Sequence, residues 1–453
     1  MKRAKTGKKV TSKKTTAKKT AGKKTLAIGT GGSIAVDKCQ VCNSKDLKSI
    51  LFLGYLPPVN TMPAVGTQPK EQPSYPAEML QCSKCQLVQI GCVVDPEILF
   101  PPSYPYTSGT TKILRENFAE LYREVMSLYP LAAKDLVVDV GSNDGTLLSN
   151  FHLGGHRVFG IEPTNAGKIA RKNGIDTMTA FFNKKAAKAA VSKKGKASII
   201  TAANVFAHIE DVHSIVEGIA SMLKDDGIFI SESHYLVSLL ETVQYDTIYH
   251  EHLRYYSVTA LKYLLESHGL EIIHVKKIPT HGGSVRVYAA KKGKRTVRPT
   301  VQQVLNAEKT QISDGSLRRF RDKVVQSKTG LHALLNDIKK RGEKVYAVGA
   351  PSRASTLINY VGLDDGIIDC VLEIQGSYKI GKYVPGTTIP VLEESKLVTD
   401  QPAYALLLSW HIASELIPKL TAKGFRGKFI VPLPNPRIVS SATEVSHVEA
   451  AAA

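Results

Sequence analysis

Cysteine is scarce in this chain, with six in 453 residues. That is too few for an extracellular disulfide scaffold in a protein this long, so a reducing, cytoplasmic setting is expected. Long apolar runs are missing as well. No stretch approaches the ~18 residues a membrane span needs, and nothing near the N-terminus has the apolar core of a signal peptide, so no membrane partner is expected. Acidic residues are absent from residues 1–24, which hold eleven Lys/Arg. Removing that segment from the net charge of +20 leaves about +9, too little to argue for a nucleic-acid-binding body. The segment is Lys/Thr/Ala low-complexity without apolar periodicity, so it cannot bury a core and reads as disordered. Weak, salt-sensitive binding of a polyanion fits it, and so does a solvated tail with no specific partner.

Between these absences the chain is long enough for roughly two to four domains. Residues 1–35 read as tail and linker. Residues 36–105 are Pro-rich with short apolar pieces, as expected of small strands and loops around a metal. Residues 112–128 space Ile113, Leu114, Phe118, Leu121, Val125 and Leu128 as one face of a helix. "DLVVDVGSNDG", "HRVFGIEPT", "KASIITAANVFAHI" and "DDGIFISESHY" then read as strands separated by helix-length segments, which predicts βαβ units and a parallel sheet, with "HGGSVRVYAAKK" as a further strand. A charged helical stretch covers about 301–341. A second alternation follows from "EKVYAVGAPSRAS" onward and predicts a smaller α/β domain, so that 106–295 and 296–440 form two units and 441–453 a loose end.

Four of the six cysteines are paired by spacing: Cys39 with Cys42 and Cys82 with Cys85. Two Cys-x-x-Cys knuckles can set four thiolates tetrahedrally around Zn²⁺, with knuckle N–H groups aimed at sulfur. A redox pair or a set of small buried hydrophobes would explain one such pair, but not two. Four thiolates leave no open coordination position, so the expected zinc is structural. Cys92 and Cys370 have no such partners and read as core.

"VVDVGSNDGTLL" puts Gly141, Asn143, Asp144 and Gly145 between a buried strand and a helix, a turn that lets a ligand approach the backbone. It lacks the Gly-x-Gly-x-x-Gly of a dinucleotide site. Asp139 and Asp144 would repel a pyrophosphate and suit a ligand with positive charge, and Glu162 follows Gly141 by 21 residues, where a carboxylate can take both ribose hydroxyls. These features favour S-adenosylmethionine over NAD as cofactor.

"QYDTIYHEHLRYYS" gathers Tyr249, His250, Glu251 and His252. A metal site lacks a third ligand at a matching spacing, whereas a general base near neutrality, with Glu or Tyr beside it, fits the composition. Satisfied core histidines remain the alternative. His208, in "NVFAHIED", follows the third strand at its C-terminal end, the edge where open α/β sheets bind ligands.

Taken together, "CQVC…CSKC", "YPYTSGTT", "VVDVGSNDGTLL", "GIEPT", "NVFAHIED", "YDTIYHEHLRYYS", "PTHGGSVRVY", "GAPSRASTLINY" and "KIGKYVPGTTIP" resemble the sugar C-methyltransferases, which act on nucleotide-linked 4-keto-deoxysugars. The similarity covers roughly residues 37–435. The resemblance implies an α/β fold in three parts: an N-terminal zinc-binding domain, a central Rossmann-like methyltransferase domain and a smaller C-terminal α/β domain. It also implies S-adenosylmethionine as cofactor and a thymidine-diphosphate 4-keto sugar as substrate. Carried over, His252 resembles the general base, with Tyr249, Glu251, His208 and one "YPY" tyrosine, Tyr106 ahead of Tyr104, around the reacting carbon. Asn204 joins the cofactor set of Asp139, Gly141, Asn143, Asp144, Gly145 and Glu162. Tyr104, His281, Ser352, Arg353 and Lys382 are candidates for the substrate. "GAPSRAS" departs from the family's usual Gly-Ala-Pro-Ala-Lys-Gly, and His411 stands where relatives commonly carry Asn, which bears on the choice of substrate. Methylation of another ketone or of a hydroxyl is the rival reading, and a non-catalytic zinc-bearing adaptor a more distant one.

Overall fold

A computed structural model describes residues 32–99 and 108–444 of the chain. The basic segment 1–24 and the two tyrosines Tyr104 and Tyr106 lie outside the described residues.

The middle of the chain builds a seven-stranded sheet in the order Leu270–Ile278, Ser284–Lys291, Leu223–His234, Ala197–Ala203, Leu136–Val140, Arg157–Ile161, Thr177–Met178. The last five strands run parallel, as expected from the alternation. The sheet as a whole is mixed, because Ser284–Lys291 runs antiparallel to both of its neighbours. The edge strand Leu270–Ile278 was not legible as a strand, since Glu271, His274 and two lysines interrupt the apolar run. The parallel strands are buried along nearly their whole length, and so are read as continuous β-branched runs.

The helix Lys112–Leu128 forms as its spacing predicts and buries Leu114, Phe118, Leu121 and Val125. A polar clamp seats it on the sheet. The fully buried Arg286 reaches Glu232 at 2.6 Å, Glu120 at 2.7 Å and Asn117 at 3.1 Å, and Asn117 donates back to Glu232 at 2.8 Å. A guanidinium with its donors satisfied in this way can be buried without an unpaired charge. The charged stretch near 301–341 resolves into two helices, Pro299–Gln311 and Asp314–Lys340. They part at Ser313, whose hydroxyl accepts the Ser316 N–H and caps the second.

A second, six-stranded sheet orders Val391–Glu393, Cys370–Glu373, Val345–Val348, Tyr404–Leu407, Lys428–Val431 and Arg437–Val439, all parallel except the last. The N-terminal part is a four-stranded antiparallel sheet, Leu47–Leu56, Tyr75–Cys82, Val88–Ile90 and Arg254–Tyr255. Its last strand comes from the middle of the chain, two residues past His252. The zinc-binding part and the histidine run are therefore joined by one hydrogen-bonded ladder. Among the described residues, no helix is long and apolar enough to cross a membrane.

Candidate active site

The four paired cysteines meet. Their sulfurs all lie within 4.8 Å of one another, and Cys39–Cys85 and Cys42–Cys82 approach to 3.4 Å. Zinc–thiolate bonds of about 2.3 Å set tetrahedral sulfurs roughly 3.8 Å apart, so the donor set fits that ion. The Cys85 sulfur holds the Cys39 thiol down to about 5 against the effect of burial, with the N–H groups of Cys42 and Val41 helping. Cys92 and Cys370 are buried elsewhere, as expected of core residues.

A cavity of about 1550 Å³ opens where the three parts of the chain meet. Gly141, Asn143, Glu162 and Asn204 line one end. Gly141 has φ +71°, and a Cβ there would lie 2.5 Å from Val205 Cγ2, so only glycine suits the turn. The Glu162 carboxylate is aimed by two backbone donors, Asn143 N–H at 3.0 Å and Thr164 N–H at 2.8 Å. Asn204 also has positive φ, and its buried Oδ1 finds no hydrogen-bond partner among the described residues. A close backbone approach, an aimed carboxylate and an orphaned acceptor suit a ribose-bearing cationic cofactor such as S-adenosylmethionine. Asp139, Asp144 and Gly145 do not line the cavity. Asp139 lies beneath the loop and accepts from Thr201 Oγ1 at 2.7 Å, and burial pushes its carboxyl up to about 7. Asp144 accepts from Gly109 N–H at 2.8 Å and Thr146 Oγ1 at 2.6 Å, which ties the turn after the "YPY" segment to the glycine loop.

At the other end stand imidazoles. His208 and His252 have ring centroids 5.0 Å apart, His234 lies 5.4 Å from His252 and His281 5.3 Å from His234. The Tyr249 ring lies 4.2 Å from that of His252. His252 Nδ1 is 2.8 Å from the Thr247 carbonyl, and His208 Nδ1 is 2.8 Å from the Glu251 carbonyl. A carbonyl only accepts, so both rings carry a proton on Nδ1, and in the neutral form that burial favours they keep a lone pair on Nε2. His252 is thus aligned by Thr247 rather than by the Glu251 carboxylate, which accepts from Asn60 Nδ2 at 2.6 Å.

Ser352, Arg353 and His281, the substrate candidates among the described residues besides Lys382, line the cavity. Lys382 does not, its ammonium lying 4.8 Å over the Tyr378 ring. Lys379, three residues earlier, lines the cavity instead, along with His234 and Tyr255. Position at the C-terminal end of a strand would have marked His234; Lys379 had no such signal.

Burial pushes His252 down to about 3 and His250 and His281 to about 4, and lowers His208, His234 and His411 as well. Folding therefore favours their neutral forms. That stability is fully present above the unfolded value near 6.5 and is lost as pH falls from there toward 4. Thermal melts at stepped pH should show the midpoint dropping across this window. A flat midpoint between pH 6.5 and 4.5 would contradict it.

Arg353, 6% exposed, binds the fully buried Asp246 through Nε at 2.7 Å and Nη2 at 2.8 Å, and Trp410 Nε1 adds a bond to Asp246 at 2.8 Å. This pair fastens the C-terminal domain to the middle one. Asp246→Ala would leave a buried guanidinium unpaired, with an expected loss of about 3–5 kcal/mol, read as a lowered denaturation midpoint.

Comparison with known proteins agrees with this architecture. Residues 39–100 match a zinc binding domain family, 113–275 a methyltransferase domain family and 279–434 the C-methyltransferase C-terminal domain family. C-methyltransferase NovU of Streptomyces niveus is 32% identical over 413 residues, spanning 90% of this chain and 97% of that protein. Solved structures overlap only part of the chain. Magnesium protoporphyrin IX methyltransferase (ChlM) from Synechocystis PCC 6803 is 14% identical, covering 39% of this chain and 79% of its own, with a TM-score of 0.31. The PH0226 protein from Pyrococcus horikoshii OT3 is 14% identical, covering 43% and 98%, with a TM-score of 0.33. The match to NovU over nine-tenths of the chain does carry weight, and with it the chain belongs to the S-adenosylmethionine-dependent C-methyltransferases that bear an N-terminal zinc-binding domain.

Proposed function

We propose that this enzyme methylates carbon 3 of a nucleotide-linked 4-keto-deoxysugar, with thymidine diphosphate as the nucleotide, by way of an enolate. The observation that carries the reading is the His252 ring: buried, neutral, fixed by Thr247 and left with a free Nε2 lone pair in the cavity. Carbon methylation needs a carbanion equivalent, and a C–H beside a ketone is acidic enough for an enzyme base when the enolate is stabilised.

S-adenosylmethionine, held by the end of the cavity that carries Gly141, Glu162 and Asn204, supplies an electrophilic methyl group. His252 Nε2 takes the C3 proton, and the C–H electron pair moves into the C3–C4 bond as the C4 oxygen gains charge. An imidazolium and an enolate formed side by side in a buried site stabilise one another, which offsets the low basicity that burial gives the ring. A donor to the C4 oxygen is commonly worth about 3–4 kcal/mol. Neutral His208 cannot be that donor, because its proton is committed to the Glu251 carbonyl and Nε2 only accepts. The Tyr249 hydroxyl is better suited, next to the His252 ring. Enclosure by three domains keeps water from the enolate.

The test is a reaction in D₂O with methyl-labelled S-adenosylmethionine and a panel of thymidine-diphosphate 4-keto-6-deoxy sugars. A labelled methyl on carbon 3 is expected. A methyl on oxygen, or on a different carbon, would overturn the regiochemistry. Transfer to none of the sugars would direct the search to another ketone.

A further inference from the structure

The histidines of the cavity are not interchangeable. His208 and His252 both line it and both keep their acceptor nitrogen at Nε2, because backbone carbonyls hold their Nδ1 protons. His411, on the turn Trp410–Ile412 of the C-terminal domain, is held the opposite way. Its Nδ1 lies 3.1 Å from Arg353 Nη1. A guanidinium has donors and no acceptor, so Nδ1 of His411 must accept. A neutral imidazole that accepts at Nδ1 carries its proton at Nε2. A protonated ring is excluded as well, since it would set Nδ1–H against Nη1–H.

Arg353 has no freedom to release this arrangement. Nε and Nη2 are bound to Asp246, Nη2 also reaches Gln244 at 3.2 Å, and the guanidinium lies 5.0 Å over the Trp410 ring. His411 and Arg353 both line the cavity. No described residue accepts from His411 Nε2, and that atom is not among the enclosed, unpartnered ones.

We propose that His411 is a substrate-binding residue that donates its Nε2–H to a carbonyl or hydroxyl oxygen of the substrate, and that Arg353 is the positioning residue that fixes this tautomer. The cavity thereby presents imidazole acceptors at the deprotonating end and an imidazole donor on the C-terminal wall. A substrate carrying an oxygen acceptor at that wall is selected over one that lacks it. This rests on the reading of the substrate as an oxygen-rich keto sugar.

Two measurements on the full-length, zinc-loaded enzyme test it. The first is the long-range ¹H–¹⁵N spectrum of histidine-labelled protein, with His411→Asn used to assign the resonance. His411 is expected in the Nε2–H form and His252 in the Nδ1–H form, with His411 becoming a mixture in Arg353→Met. An Nδ1–H signature for His411 in the wild type overturns the proposal, whatever the substrate proves to be. The second is kinetic, with the sugar nucleotide that the wild type methylates. His411→Phe should lower kcat/KM roughly 5–150-fold, mainly through KM for the sugar, with S-adenosylmethionine affinity unchanged. His411→Asn, whose amide donates, should recover most of that loss. Should His411→Phe not fold, His411→Leu takes its place. A Phe or Leu variant with wild-type kcat/KM, or an Asn variant as poor as either, overturns the donor role. Failure of the substrate reading is distinct: the wild type then methylates none of the sugars, while the spectrum still decides the tautomer.

Discussion

Replacing His252 with asparagine is expected to lower kcat about 100- to 10,000-fold, the usual span for loss of a positioned general base, while leaving S-adenosylmethionine affinity unchanged. Asparagine is the informative substitution. Its amide N–H₂ can stand in for Nδ1–H and keep the bond that His252 makes to the Thr247 carbonyl, 2.8 Å away. Only the Nε2 lone pair is removed. The cofactor end of the cavity, with Gly141 and Glu162, is built from a different strand and loop and should not sense the change. The measurement that isolates the proton step is exchange of the sugar's C3 hydrogen with D₂O. It should vanish in His252→Asn and persist in His208→Asn, because His208 is aligned by a separate carbonyl, that of Glu251. If exchange instead persists in His252→Asn and is lost in His208→Asn, the two rings trade roles.

Removing the zinc, by a strong chelator or by Cys82→Ser, should unfold the N-terminal part and abolish activity although no cysteine lines the cavity. Structural zinc contributes about 10–16 kcal/mol of apparent binding free energy in zinc-finger peptides. That matches or exceeds the total stability of an ordinary domain, about 5–15 kcal/mol. Two links carry the damage to the active site. The strand Tyr75–Cys82 is laddered to Val88–Ile90, which pairs with Arg254–Tyr255 just beyond His252. Asn60, in the loop after the strand Leu47–Leu56, holds the Glu251 carboxylate at 2.6 Å. Metal analysis should find one zinc per chain, and limited proteolysis should open the N-terminal part of the stripped protein first. A Cys82→Ser enzyme that keeps full activity and resists proteolysis would exclude this linkage.

Much of this enzyme was determined within short windows of sequence. Two Cys-x-x-Cys turns, a strand–glycine–helix junction with a carboxylate one βα unit later, and a helix with one apolar stripe are each set by local backbone geometry, so spacing reveals them. The four thiols, Gly141, Glu162 and the helix Lys112–Leu128 were legible for that reason. What tertiary structure decided are contacts between distant residues that no local period encodes. Ser284–Lys291 enters the sheet antiparallel, and Arg254–Tyr255 completes a sheet begun near residue 47. Asp246 meets Arg353 across 107 positions. The same holds for protonation. Sequence marks a histidine as a candidate base, but whether it accepts or donates is fixed by what its other nitrogen touches: a carbonyl for His252 and His208, a guanidinium for His411. Those partners are brought together only by folding, because a hydrogen bond has direction and a sequence spacing does not.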